Sequence, residues 1–339
     1  SGYKKYTDFK LKWIKELSMG SLVGYEELGN GYLKYSKDGA LYLKPNGENV
    51  WIESYEMSNP KIDKNGKYII VFDVGGNKME SFTKNGRVAT METTLPILRA
   101  VISQTGIVTA LVEDSSSTYI MFFKSDGTKL DIAVKSKLSG DGYPTDIAVS
   151  PDGTALMVAY QHIKGSAMIG RIVFYDFSEI GQNMSNRVVG GFDDGFASSL
   201  VAKVKYLDRI NSVAVASDGL YFFSSKNVAS PKLIKTIKAE EDIEAIDFDG
   251  KNICVVYKKF SEEYNHTLCI YSDTGKEILK KNFLGDFKKL DLQGGYIYLT
   301  KDDNAIIMNR SGVIKYNGTL DVNIQKIRKS GIFSGFTVL

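Results

Sequence analysis

The sequence is poor in histidine, cysteine and proline, and each shortage excludes a class of protein. Its 339 residues include 2 His, 2 Cys and 6 Pro. Two histidines cannot build a histidine-rich metal site, and two cysteines cannot form the disulfide framework of a small secreted domain. The few prolines form no linker, and no apolar run is long enough to cross a membrane. We therefore expect one domain over residues 1–339, with no bound metal ion.

An excess of charge of one sign is also missing. Lys and Arg number 43 and Asp and Glu number 40, for a net charge of +3. This balance cannot focus a strong field on nucleic acid, so we predict no nucleic-acid partner. The dense basic group within residues 4–15 is interpreted as a solvated strand surface, with a membrane-flanking segment as the alternative. Ser1 and Gly2 are interpreted as a tag remnant, which leaves room for a removed N-terminal anchor.

The sequence is rich in glycine, and many of the glycines lie in dipeptides typical of tight turns. Of its 32 glycines, many follow Asn or Asp, the usual chemistry of two-residue hairpin turns. The clearest unit is residues 59–92, where turns at 64–66, 75–76 and 85–86 separate short runs that begin at Pro60, Tyr68, Lys78 and Arg87. Four short runs joined by tight turns predict one up-and-down antiparallel sheet.

The same pattern of short apolar runs and tight turns recurs along the chain, at spacings near the ~40–50 residues of propeller repeats. Its first turn begins at Asn30, Asn65, Thr105, Asp152, Asp208, Asp249, Gly294 and Ser330. We therefore predict an all-β fold, a single closed β-propeller of about eight four-stranded blades, with seven as the alternative. The strand around Trp13 should join the C-terminal strands near residues 324–328 and 332–337 in a composite blade, which would bury open sheet edges. The main rival, a pair of β-sandwiches, would need a linker.

The fourth repeat is irregular and carries the candidate binding residues. Between residues 160 and 200 its loops are longer than those of the other repeats. Long loops on a rigid scaffold often bind ligands, although they also tolerate drift. The candidates are His162, Lys164, Asp193, Asp194 and Phe196.

The sequence gives little support for a catalytic or metal-binding site. A Ser-His-Asp triad would need one of only two histidines, and His266 is predicted to lie at an exposed hairpin tip. The acidic clusters at 247–252 and 301–304 lack a full calcium-loop signature, and we interpret them as turns. No glycine loop precedes a helix, so no nucleotide cofactor is expected. Cys254 and Cys269 should lie on adjacent strands, as small buried thiols or, alternatively, as a bridge.

Two phrases resemble known propeller repeats. Residues 270–278 (IYSDTGKEI) resemble the strand–turn–strand phrase of quinoprotein-type repeats, and residues 148–157 (AVSPDGTALM) resemble YVTN-type and WD-like repeats. The whole chain is similar to an uncharacterised family of membrane-anchored surface propellers of Gram-positive gut bacteria. That resemblance implies a propeller outside the cell, held by an N-terminal membrane helix. The quinoprotein cofactor site is not reproduced, so the resemblance implies no catalytic residue and no cofactor.

These observations predict a non-enzymatic binding or scaffold module at the cell surface, with a protein or a glycan as its partner. The alternative is a carboxylate-based carbohydrate-active enzyme or lyase on a propeller scaffold. The oligomeric state stays open.

Overall fold

The computed structural model describes residues 11–14, 22–193, 200–324, 326–329 and 336–338. Nearly all regular structure in these segments is β-strand. Their helical content is two 3-10 turns, Gly181–Asn183 and Ser185–Arg187, so no described helix could span a membrane. The segment around Trp13 forms strand β1 (Leu11–Ile14), as predicted.

Most strands belong to seven four-stranded sheets in the described segments, and each strand pairs with the next along the chain. We call these sheets blades 1 to 7, because a series of such sheets is the β-propeller fold. Blade 1 is β2 Leu22–Leu28, β3 Gly31–Ser36, β4 Gly39–Leu43 and β5 Asn49–Ser54; blade 2 is β6 Pro60–Asn65, β7 Tyr68–Asp73, β8 Lys78–Thr83 and β9 Gly86–Glu92; blade 3 is β10 Ile97–Ile102, β11 Val108–Glu113, β12 Ser117–Phe123 and β13 Lys129–Lys137. Blade 4 is β14 Tyr143–Val149, β15 Ala155–Lys164, β16 Ala167–Asp176 and β17 Val188–Phe192; blade 5 is β18 Val201–Tyr206, β19 Asn211–Ala216, β20 Gly219–Ser224 and β21 Lys232–Lys238. Blade 6 is β22 Ile243–Asp249, β23 Asn252–Lys258, β24 His266–Tyr271 and β25 Glu277–Phe283; blade 7 is β26 Lys289–Gln293, β27 Tyr296–Lys301, β28 Asn304–Asn309 and β29 Ile314–Thr319.

The chain forms two compact units. Unit 2 spans Gly20–Leu43 and Asn49–Ile237 and contains blades 1 to 5, whereas unit 1 takes its described residues from Ser1–Met19, Lys44–Glu48 and Lys238–Leu339. In unit 2 each pair of successive blades encloses an apolar layer, such as that of Leu33 in blade 1 with Phe82 in blade 2. Middle strands are therefore covered on both faces, and Ile69 to Phe72 of β7 are all buried. Each such side chain contributes about 1.5–3 kcal/mol of burial free energy.

Unit 1 contains blades 6 and 7 and a sheet made from both ends of the chain. Strand β31 (Phe336–Val338) pairs in parallel with β1 and antiparallel with β30 (Ile327–Lys329). Ile327 of this sheet packs with Tyr298 of blade 7. The predicted composite of both termini is therefore present, but as a three-stranded sheet with one parallel pair. The described residues contain seven four-stranded blades, so the alternative count is correct and eight is wrong.

Inner-strand aspartates connect successive blades within each unit. In unit 2, Asp63 of β6 accepts a hydrogen bond from the Ile102 N–H of β10 (2.9 Å). Asp146 of β14 accepts one from the Val204 N–H of β18 (2.8 Å). In unit 1, Asp247 of β22 accepts one from Leu292 of β26 (2.7 Å). These carboxylates satisfy backbone donors that no strand pairing reaches, which explains the acidic residues in otherwise apolar strands.

Two sequence predictions in blade 6 are settled by its register. Cys254 pairs with Ile270, and Cys269 pairs with Val255, so the two thiols lie one position apart and point to opposite faces. Both are free and buried, and burial raises the pKa of each thiol. The alternative of a bridge is wrong.

The prediction for His266 is wrong, because this residue is buried. Its ring stacks on Phe283 with 4.8 Å between centroids. Its Nδ1 lies 2.5 Å from Glu244 Oε2, and its Nε2 lies 2.9 Å from the Gly285 carbonyl oxygen. The polar residues before it resemble an exposed turn in sequence, but the ring packs against Phe283 and Phe287.

The acidic cluster near Asp249 forms a turn and contributes to an ion pair. Gly250 adopts a left-handed conformation (φ 53°) that glycine tolerates, and Asp249 pairs with Arg310. Within the described residues, no group of three or more His, Cys, Asp or Glu side chains is placed to hold a metal ion.

Candidate functional site

The fourth blade contains the longest hairpin described in this chain. Strands β15 and β16 have ten residues each and pair from Ala155 with Asp176 to Lys164 with Ala167. Gly165 turns the chain between them with φ 66°. After β16 the chain passes through the two 3-10 turns before β17 begins at Val188. The predicted irregularity of the fourth repeat is therefore real.

The predicted binding residues are spread along this blade. His162 is half-buried near the hairpin tip, and Lys164 is its last paired residue. Asp193 is exposed just after β17. Asp194 and Phe196 lie outside the described residues. Neither His162 nor Asp193 lines the pocket that this blade forms.

That pocket, which we call the blade-4 pocket, has a volume of about 500 Å³ and lies between β13 of blade 3 and β16 of blade 4. All of its walls belong to unit 2. Its polar lining comprises Lys135, Ser136, Asp141, Tyr160, Arg171, Tyr175, Asn186 and Arg187. The volume is within the range that accepts a small molecule.

A chain of three hydroxyls forms one wall of the blade-4 pocket. Ser136 Oγ lies 2.8 Å from the Tyr160 hydroxyl, which lies 2.9 Å from the Tyr175 hydroxyl. Burial raises the pKa of both tyrosines, so both stay neutral at physiological pH and can donate or accept hydrogen bonds. They are poor candidates for a catalytic base, because a base must lose its proton near the working pH.

Two arginines, with Lys135, supply the positive charge of the pocket. Arg171 lies directly opposite Tyr160 in the β15–β16 pair. The Arg187 guanidinium lies over the Phe177 ring, 5.6 Å from its centroid. Within the described part of the chain, neither guanidinium forms an ion pair, and the one carboxylate of the lining, Asp141, accepts a hydrogen bond from a backbone N–H. The pocket therefore presents two guanidinium groups without an ion-pair partner among the described residues, in the same lining as the neutral hydroxyls.

The backbone at the pocket's edge is strained. Asn186 and Arg187 have φ of 53° and 60°, and they are two of three non-glycine residues with positive φ in the described segments. A non-glycine residue in this conformation costs about 1–2 kcal/mol. Such strain persists where the surrounding structure holds the residue, and it concentrates at functional sites. Here the strained pair directs a guanidinium into the pocket's lining.

These residues have the chemistry of an anion site with additional hydrogen-bonding groups. A guanidinium binds a carboxylate in a bidentate manner, with strong charge-assisted hydrogen bonds. The sequence pattern does not single them out, because Arg171, Val173 and Tyr175 alternate as in an ordinary strand. The sequence feature that could have indicated the site is the position of Arg171, which lies on the same strand face as the core residues Val173 and Tyr175.

Comparison with known proteins places the chain in a family. The model of a family of unknown function, DUF5711, matches residues 2–339. The chain belongs to the DUF5711 family. No curated protein matches it. The function of the DUF5711 family is unknown, so membership in it does not indicate a function for this chain. The pockets of the chain are the available indication.

Solved structures similar to this DUF5711 chain share its fold at low sequence identity. Apo AztD from Citrobacter koseri has a TM-score of 0.58 at 8% identity, covering 89% of this chain and 86% of AztD. A functionally unknown protein from Desulfotomaculum acetoxidans has a TM-score of 0.56 at 9% identity, covering 91% and 99%. BamB from Moraxella catarrhalis has a TM-score of 0.54 at 13% identity, covering 93% and 95%. Such identities support the fold alone.

Proposed function

We propose that this DUF5711 protein is a non-catalytic binding module that holds an acidic saccharide in the blade-4 pocket. The observation that carries the proposal is the pair Arg171 and Arg187, neither of which has an ion-pair partner among the described residues, beside the hydroxyls of Tyr160 and Tyr175. The guanidinium groups would bind the carboxylate, and the hydroxyl chain would hydrogen-bond to the sugar hydroxyls.

Binding is favoured over glycoside hydrolysis by the number of carboxylates. Hydrolysis usually needs two carboxyl groups that flank the scissile bond. Asp141 is the one carboxylate in the described lining of the blade-4 pocket, and its residue is exposed. The alternative of a carboxylate-based enzyme therefore has no support at this pocket.

Calorimetric titration with D-glucuronate and with D-glucose tests the proposal. We expect glucuronate to bind and glucose to bind more weakly or not at all. Arg171→Gln and Arg187→Gln should each weaken glucuronate binding at least about tenfold, because each removes a charge-assisted hydrogen bond worth about 1.5–3 kcal/mol.

The matched control is Arg209→Gln, which removes the same charge from an exposed turn residue of unit 2 outside the pocket. It should leave the affinity unchanged. Equal affinity for glucuronate in all three variants, or no binding to the unaltered protein, would contradict the proposal.

We also propose that the module acts outside the cell, held at the membrane by an N-terminal anchor. Its support is the resemblance, inferred from the sequence, to membrane-anchored surface propellers. Proteolysis of intact cells that express the natural gene tests it. The module should be digested while a cytosolic marker stays intact, and survival of both would refute the location.

A further inference from the structure

Blade 6 carries a second pocket built on the same pattern as the blade-4 pocket. This blade-6 pocket has a volume of about 390 Å³, and its lining residues belong to unit 1. Tyr257 and Tyr271 line it, with 3.1 Å between their hydroxyl oxygens. Burial raises the pKa of Tyr257 to about 12 and raises the pKa of Tyr271 as well. Both hydroxyls therefore stay protonated and can donate.

The strand register shows that the two tyrosine pairs are equivalent. Tyr160 lies four residues after Leu156, which pairs with Tyr175. Likewise, Tyr257 lies four residues after Ile253, which pairs with Tyr271. The same two positions of the second and third strands therefore provide the hydroxyl pair in both blades.

The chemistry around the second pair is different. Thr267 pairs with Tyr257 and so occupies the position that Arg171 occupies in blade 4. Its hydroxyl donates to Asn282 Oδ1 (2.8 Å), which leaves the Asn282 amide nitrogen to donate elsewhere. Charged side chains of both signs surround these groups: Lys238, Glu240, Glu241, Lys258, Lys259, Glu277 and Lys280. The lining thus supplies donors and acceptors without a dominant charge.

An exposed aromatic ring completes the blade-6 pocket. Phe260 contributes to the lining and is 78% exposed, the largest value among the large apolar side chains described. A single exposed apolar residue is ordinary on a protein surface. Here, however, the ring lies beside a pocket whose lining is mostly polar, so a ligand that contacts both would have an apolar face and several hydrogen-bonding groups.

We infer that the blade-6 pocket is a second binding site, whose ligand class is a neutral saccharide. The C–H face of a pyranose ring would pack on Phe260, and its hydroxyls would exchange hydrogen bonds with Tyr257, Tyr271 and Asn282. The site differs from the blade-4 pocket in charge and in ligand, and it does not depend on the arginine site.

Saturation-transfer NMR with cellotetraose, chitotetraose and mannotetraose, each at millimolar concentration, tests this inference. We expect at least one of the three to receive saturation from the protein, mainly at its ring C–H protons. Phe260→Ala should weaken that binding about tenfold, the effect of losing one aromatic contact. Phe260→Trp should retain it.

Leu284→Ala is the matched control, because Leu284 is also an exposed apolar residue of unit 1 (62%) but lies outside the pocket. It should leave binding unchanged. Since Phe260 is exposed, its substitution should leave the unfolding midpoint in place, which separates loss of binding from loss of fold. The inference is overturned if no tetrasaccharide receives saturation, or if Phe260→Ala binds as the unaltered protein does. Arg171→Gln should not affect this binding, so either site can fail alone.

Discussion

Replacing Asp146 with alanine should destabilise unit 2 by about 3 kcal/mol, because this buried carboxylate has partners on both sides. It accepts the Val204 N–H hydrogen bond and lies 2.6 Å from Arg99 Nε and 3.8 Å from Lys203 Nζ. An unpaired buried N–H costs about 1–3 kcal/mol. The two cations are about 30% exposed, so losing their partner should cost about 1–2 kcal/mol, between the values for exposed and buried pairs.

Lys203 shows why the carboxylate is needed. Burial lowers the pKa of Lys203, and the charge of Asp146 opposes that shift. Without Asp146, the pKa of Lys203 should fall further, since Arg99 repels its ammonium group. The charged form would then be disfavoured in the folded state, which adds to the loss of stability.

Urea unfolding followed by tryptophan fluorescence measures this loss. In a Trp13→Phe background, Trp51 is the one tryptophan that remains. It stacks on Tyr42 and on Phe82 within unit 2 and so reports on that unit. The matched control is Asp63→Ala, which removes an equivalent hydrogen bond. The Asp63 carboxylate forms no ion pair among the described residues and acts on Lys203 more weakly than Asp146 does, so its loss should cost about 1 kcal/mol. Equal losses for Asp146→Ala and Asp63→Ala would refute the contribution of the charges.

Two further predictions concern the stability of the protein at low pH and the contribution of a buried histidine to stability. Hydrogen bonds from the Ser116 and Ser117 amides lower the pKa of Asp114, so its stabilisation is present above about pH 4 and is lost as the pH falls through the folded-state pKa. Asp114→Asn should therefore flatten the acid limb of a plot of melting temperature against pH, and an unchanged limb would contradict this. His266→Ala should cost about 2 kcal/mol in urea unfolding, because it removes the stack on Phe283 and the contact with Glu244; a loss below about 0.5 kcal/mol would refute that role.

The repeat of blade 2 was predictable from local chemistry alone. Its strands were expected to begin at Pro60, Tyr68, Lys78 and Arg87, and all four begin within one residue of those positions. Hairpin turns depend on the few residues that form them, so sequence pattern is sufficient there.

The site shows the limit of such local reasoning. The fourth repeat is irregular, as predicted, but the predicted binding residues do not include Arg171, Tyr160 or Tyr175. Alternation along β16 places Arg171 and Tyr175 on one face. Whether that face is covered or opens into a pocket depends on the packing of blade 3 against it.

By itself, then, the sequence determined the strands, their turns and the propeller class, because these follow from short-range periodicity and turn chemistry. Tertiary structure alone decided the blade count, since β1 and β31 come from opposite ends of the chain. It also decided the burial of His266 and the separation of the two cysteines. Most of all, it decided which polar side chains face a cavity, because a strand residue's neighbours on the next blade are remote in sequence.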